Sequence, residues 1–400
     1  MDSQESLPLP QQPSIAVLPF VNLSEDEQQE YFSDGITEDI ITDLGMLRGL
    51  FVIARNSTFT YKGKTVDARQ VGRELGVRYV LEGSVRKAGD RVRISAQLVE
   101  ATSGNHLWAK RYDRELKDIF ALQDEITGDI VTELDVKLIE GEQAREWRNS
   151  TNDPEAYDYF LRGRAAHLRF TQEDNALGGQ LLEKAIELDP EFTKAIVQLG
   201  WNYGVDAESA WGEFPSKSWE RALELANRAI ALDDTFGEAH SLLGLIQISH
   251  IGDTELGVAE LEKAVALNPN SALSAALLGG YLGLRGKSGR ALEMVKRAIR
   301  LNPFPPNWFY NALGNAYLFA GQYDEAITAF KECISRIPNF MPARVSLAVA
   351  YLETGNQQEA RKQGREVLRI NPQFTPENFM FAKSDPALGE RMKILFDNLQ

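Results

Sequence analysis

The residue types that do chemistry are present in this 400-residue chain, but their spacing withholds the company that chemistry needs. The run RGKS at Arg285 to Ser288 has the close of a phosphate-binding loop. Such a loop also needs a glycine five residues before Gly286 and a strand leading into it; that position is Tyr281. The run therefore reads as a tight turn between helices. His106, His167, His240 and His250 lack both the HExxH spacing and an accompanying carboxylate cluster, so they are expected in structural or surface roles rather than as metal ligands. The adjacent carboxylates Glu38-Asp39 and Asp124-Glu125 could share acid-base work if a pocket raised one pKa. Each pair falls within an amphipathic helix and reads as a solvated face. Ser24, Ser33 and Ser84 have no base signature or nucleophile-elbow pattern beside them. The single cysteine, Cys333, cannot build a disulfide framework or a thiolate zinc site and reads as buried packing. For the ARNS run at Ala54 to Ser57, which follows a strand, a turn explains Asn56 and Ser57 as well as a ligand-contacting edge would. No catalytic residue, cofactor or metal site is assigned, and the chain is not expected to be an enzyme.

The elements that would position any site divide into two patterns. In the second, AIELDP, AIALDD, AVALNP, AIRLNP, CISRIP and VLRINP end at Pro190, Asp234, Pro269, Pro303, Pro338 and Pro372, a step of 34 or 35 residues after a first interval of 44. Leu199-Gly200, Leu243-Gly244, Leu278-Gly279, Leu313-Gly314 and Leu347-Ala348 keep the same step. Two registers that agree identify a repeat in which each helical hairpin exposes an apolar face until a neighbour covers it. The unit NALGNAYLFAGQYDEAITAFKECISRIP, with Tyr310, Leu313, Gly314, Tyr317, Ala326, Phe330 and Pro338, closely resembles the tetratricopeptide (TPR) pattern. A looser unit spans 154–190. The longer first interval maps to ESAWGEFPSKSW, expected as a loop or a lengthened hairpin. Residues 151–372 thus form an all-α superhelix, and 373–400 a capping helix.

Before the repeats, SIAVLPF, the amphipathic run to Leu47, LFVIA, the helix 66–75, the alternating RYVLEGSVRK, RVRISAQLVE and HLWAKRYD, and a long helix from Leu116 give the order β-α-β-α-β-β-β-α. That predicts a small α/β domain with a mixed sheet over 14–145, preceded by a flexible linker, 1–13, rich in Pro, Gln and Ser. The fold class is α+β multidomain. The runs PSIAVLPFVNLSEDEQQEYFSDGITEDIITDL, FVIARNSTFTYKG and ELGVRYVLEGSVRK resemble the domain related to the amino-terminal part of TolB. That domain occurs joined to TPR arrays in bacterial signalling proteins, often after a class III adenylate cyclase domain or an OmpR-type winged helix. Neither is recognisable in these residues, so the resemblance carries over no cyclase or DNA-binding activity.

The formal charge of −15 divides into −8 for residues 1–150 and −7 for the rest, and neither half offers the basic stripe that nucleic acid requires. No run approaches the 18 apolar residues that span a bilayer, and no export signal opens the chain, so cytoplasm is the expected location. The first helix of each TPR hairpin lines the concave side. Counted from the Leu-Gly landmarks, Lys194, Trp201, Glu238, Ser241, Leu245, Trp308, Asn311 and Asn315 are the candidate peptide-binding residues. Asparagine can pair with an extended backbone, and tryptophan offers apolar area. The expected function is a non-enzymatic scaffold for a protein or peptide ligand. The alternative is the regulatory or sensory portion of a cyclase-like or transcriptional signalling system, with a signalling enzyme as partner.

Overall fold

Ser14–Val17 forms β1 with all four side chains buried, as an uninterrupted apolar strand inside a sheet requires. The computed structural model describes residues 7–134, 151–209, 211, 215–376 and 386–398. SIAVLPF is not one strand. Pro19 has no N–H to give, and the run breaks into β1 and the short β2 (Val21–Asn22), both pairing in parallel with β4 (Tyr79–Ala88). With β3 (Phe51–Val52), β5 (Arg91–Glu100) and β6 (Asn105–Glu115) the order is β3-β1-β4-β5-β6. The pairs β1–β3 and β1–β4 are parallel, β4–β5 and β5–β6 antiparallel. The sheet is mixed, as its element order predicts.

Helices α1 (Glu30–Gly45) and α4 (Ile119–Glu133) lie together over the sheet. Phe32, Ile36, Ile40 and Leu44 of α1 join Leu81, Val85, Ile94 and Leu98 in one core. Helix α3 (Ala68–Leu75), capped by Asp67, packs on β4 and β5. ARNS is neither a simple turn nor a free edge: Arg55–Thr58 is a one-turn helix, α2, whose Ser57 hydroxyl donates to Asn302 Oδ1 at 2.6 Å. Part of the expected linker is pinned as well. The Leu7 amide donates to the Arg73 carbonyl, and the Pro13 carbonyl accepts from Phe51.

The repeat helices follow as hairpins: α5 (Pro154–His167) with α6 (Gln172–Leu188), α7 (Thr193–Ser209) with α8 (Pro215–Leu232), and α9 (Gly237–Ile246) with α10 (Thr254–Leu267). The long interval is a lengthened hairpin, because α7 runs on to Ser209. Then come α11 (Ala272–Leu282), α12 (Ser288–Leu301), α13 (Trp308–Phe319), α14 (Tyr323–Arg336), α15 (Met341–Glu353), α16 (Gln357–Ile370) and α17 (Pro386–Asp397). The helix α17 packs on α15 and α16 through Met392, Leu395 and Phe396; residues 377–385 of the expected cap lie outside the described residues. RGKS is the turn between α11 and α12, with Gly286 at φ 68°. A Cβ on Gly314 would overlap the Phe330 ring, the close helix approach that the TPR pattern implies.

Two compact units result: Met1–Ser271 with Leu301–Pro303, and Ala272–Arg300 with Phe304–Gln400. The expected division near residue 150 does not separate compact units. The α/β layer and helices α5–α9 share one continuous core, running from Ile15 to Ile246. Residues 135–150, between α4 and the repeats, lie outside the described residues.

Candidate functional site

In the first unit, α1 lies against α5. Gly35 is needed there because a Cβ would overlap the Leu161 side chain. That approach carries the acidic pair of α1 into the repeats, so Asp39 is not on a solvated face: it is 2% exposed. Its Oδ2 accepts from the Tyr157 hydroxyl and from Gln123 Nε2 at 3.0 Å. Its Oδ1 faces Lys194 Nζ at 3.6 Å and Arg164 Nη1 at 3.8 Å. Glu38 Oε2 forms an ion pair with Arg55 Nε at 2.7 Å, with Arg164 Nε at 3.5 Å. Burial pushes the Asp39 carboxyl up, but Lys194, Arg164 and the two hydrogen bonds outweigh it, and its pKa falls below the ordinary value. Burial alone would lower Lys194; Asp39 and Asp43 raise it instead. Asp43, one turn on, is pushed up to about 7 by burial against the pull of Lys194, with Asp39 and Asp124 adding to the rise.

Asn270 makes the second attachment. Its Nδ2 lies 2.9 Å from the Gly45 carbonyl, 3.2 Å from that of Leu47 and 3.0 Å from that of Leu50, while its Oδ1 accepts from the Val52 amide. One side chain between α10 and α11 thus answers the Gly45 carbonyl, which the end of α1 leaves without a helical partner, and two carbonyls of the segment that follows.

Part of the predicted peptide-binding set has partners within the chain. Lys194 is engaged with Asp39, and Glu238 lies among Glu38, Arg164, Lys194 and Asp39, its pKa raised first by burial and then by Glu38. Ser241 is buried and donates to the Gly237 carbonyl; Leu245 is buried; Trp201 packs on the core. A helix-face count cannot see this, because the occupant comes from residues more than 100 positions earlier.

The second unit differs. Asn315 is 6% exposed, and neither its Oδ1 nor that of half-buried Asn311 has a hydrogen-bond partner; Ser346 Oγ on α15 is in the same condition. Asn311 and Asn315 are one turn apart on α13, on the same helix face. Half-buried Trp308 begins that helix, its ring 4.4 Å from that of Phe309.

His240, His250, His167, Cys333 and Glu125 are engaged within the fold. His240 is buried, its Nδ1 2.6 Å from Glu260 and its Nε2 3.0 Å from the Asp234 carbonyl. His250 stacks on Trp219, and His167 meets Asn175. Cys333 is buried, and burial lifts its thiol to about 11. Glu125 is paired with Lys110 and Arg114. Among the described residues no cluster of three or more His, Cys, Asp or Glu could hold a metal ion, and no helix is long and apolar enough to cross a membrane.

Residues 311–373 match the tetratricopeptide repeat, and residues 11–129 match the second domain of HilA/YgeH-like transcriptional regulators. The Rhizobium meliloti protein named "Putative adenylate cyclase 3" is 52% identical over 237 residues, 59% of this chain and 40% of the relative. Human superkiller complex protein 3 is 25% identical over 228 residues, 56% of this chain and 14% of its own length. The chain spans less than half of either. Among solved structures, the APC/C hetero-tetramer Cut9-Hcn1 aligns over 69% of this chain and 46% of that one, at 19% identity and a TM-score of 0.46. YrrB, described as a TPR protein with an unusual peptide-binding site, aligns over 53% and 97%, at 20% identity and a TM-score of 0.33.

Proposed function

We propose that the chain is a non-enzymatic protein–protein interaction scaffold that binds an extended protein segment along α13, at Trp308, Asn311 and Asn315. The observation that carries this reading is the pair of buried amide oxygens without donors. A buried acceptor left unmatched costs about 1–3 kcal/mol, and a peptide backbone supplies N–H groups that would relieve it. In this reading Lys194 and Glu238 seat the chain's own α/β domain, and Trp201, Ser241 and Leu245 belong to packing. Cytoplasm is the proposed location, and nucleic acid is not a proposed ligand.

The test is a peptide selected on the full chain from a displayed random library. Binding should weaken about tenfold when Asn311 and Asn315 are both replaced by Ala, and comparably when one backbone nitrogen of the peptide is methylated. Peptides indifferent to both changes would refute the α13 site.

A second reading is favoured by the 52% identical relative and by the transcriptional-regulator match. It makes the chain the regulatory portion of a cyclase-like or transcriptional system whose output lies in another domain or partner. A relation to the TolB amino-terminal domain belongs to this reading. Its test is the rate of a class III cyclase catalytic domain with and without the chain; an unchanged rate counts against it.

A further inference from the structure

Strand alternation gives the sheet two unlike faces. Leu81, Gly83 and Val85 of β4 face the helices α1 and α4, opposite Leu98, Ala96 and Ile94 of β5. The other face begins with Val80 and Val99, buried on the side where α3 packs, and then changes character. Glu82 pairs with Gln97 and then Ala109; Ser84 pairs with Ser95 and then Arg111. Among the described residues no helix covers these two rows. They form the floor of an open cavity of about 910 Å³, walled by Tyr61–Val66 on one side and Leu18–Val21 on the other. A second cavity, about 610 Å³, shares Thr65, Val66, Glu82 and Gln97 with it.

The charges in this trough are unlike those around it. Arg91 and Arg93 are held by Asp113, Arg86 by Glu25, and Lys110 by Glu125 and Asp129. Lys64 and Arg111, on the wall and on the floor, have no carboxylate partner among the described residues. Both point-charge and fork donors are therefore available to an anion. Glu82, half-buried on the floor, accepts from Gln97 Nε2 at 2.8 Å, and its carboxylate has further lone pairs for hydroxyl donors. Ser84 and Ser95 add hydroxyls beside it.

We propose that this trough binds a small polyhydroxylated organic anion, its acidic group between Lys64 and Arg111 and its hydroxyls on Glu82, Gln97 and the serine pair. The volume lies within the range of small-molecule sites. The mixed donor and acceptor floor disfavours both an apolar ligand and a bare inorganic anion. This site goes beyond the scaffold reading and is independent of α13.

Calorimetric titration of the full chain with glucose 6-phosphate, gluconate and glycerol 2-phosphate tests it, with glucose and inorganic phosphate as fragment controls. The expected result is saturable binding of at least one hydroxylated anion, tighter than either fragment. Arg111→Ala and Lys64→Ala should each weaken it about fivefold. Glu82→Gln should weaken the hydroxylated anion while leaving inorganic phosphate unchanged. All three side chains are at the surface or half-buried, and circular dichroism would report any variant that misfolds; in that case Ser84→Ala with Ser95→Ala reads the same hydroxyl contacts. Absence of saturable binding by every hydroxylated anion overturns the proposal. So does binding that ignores Arg111→Ala and Lys64→Ala, or inorganic phosphate binding as tightly as the hydroxylated anions. Each of these results leaves the peptide site untouched.

Discussion

Lys194, Glu238 and Trp308 hold the same place in three repeats, five residues before the leucine of the Leu-Gly landmark. In the first unit that place is charged, and the charges meet Glu38 and Asp39 of the same chain. In the second unit it is Leu273, Trp308 or Pro342, and the tryptophan of α13 is followed one and two turns later by amides that meet no donor. The wider charge follows the same division: residues 1–271 carry a net −20 and residues 272–400 a net +5, which sum to the −15 of the whole. One repeat architecture thus serves two ends. Where its first-helix face is answered internally it joins domains into one core, and where it is not, an outside partner has something to satisfy.

The sharpest way to break that contrast is Asp39→Ala. It strips the carboxylate from Lys194 and Arg164, which are 13% and 11% exposed, and leaves the proton of the Tyr157 hydroxyl without its acceptor. Removing one partner of a buried pair costs about 3–5 kcal/mol, and the partial exposure of the two cations places the loss near 3 kcal/mol. Urea unfolding followed at the first unit should show it; an unshifted midpoint would mean that the α/β domain is held by apolar packing alone. Next comes Asn270→Ala, which leaves the Gly45, Leu47 and Leu50 carbonyls short of a donor. About 2 kcal/mol is expected, with faster amide exchange confined to residues 45–52.

These two attachments also mark where the sequence stops being legible. The repeat period, the hairpins and the β-α-β-α-β-β-β-α order are all local, written in spacings of 2, about 3.6 and 34–35 residues, and each can be read without knowing what lies opposite. The seat of Asp39 is not local. Its partners lie 84, 118 and more positions away, and an acidic pair on an amphipathic helix looks the same whether it meets water or Arg164. A helical wheel places Lys194 on the inner face correctly but cannot say who else is there. Pro19 was readable as a strand breaker, yet the resumption of pairing at Val21 depends on β4, again a distant strand.

A smaller effect concerns pH. Asp43 sits at about 7 in the folded protein against an ordinary 3.8, so the folded state holds a proton that the unfolded chain has released between those values. Its contribution is therefore most favourable below about pH 4, declines as pH rises to about 7, and is constant above. Asp39 has the opposite sign: its lowered pKa stabilises the fold above pH 4 and is lost on acidification. Asp43→Asn should remove the decline between pH 4 and 7 and leave the variant more stable at pH 8 by about 1–2 kcal/mol, discounted for the side chain's partial exposure. Parallel stability profiles for the two proteins would show that Asp43 does not titrate in that range.

The smallest expected change in stability belongs to Asn311→Ala with Asn315→Ala. If the two amide oxygens were part of a structural network, their removal would cost as much as Asn270→Ala. With no donor to lose, the double variant gives up some packing and relieves two buried acceptors, so its unfolding midpoint should stay within about 1 kcal/mol of the parent, on either side. That result, together with the loss of peptide binding expected of the proposed α13 site, would mark a face kept polar for a partner at the expense of its own stability. A double variant that unfolds well below the parent would place α13 with the first unit's repeats, as a helix whose amides serve the fold.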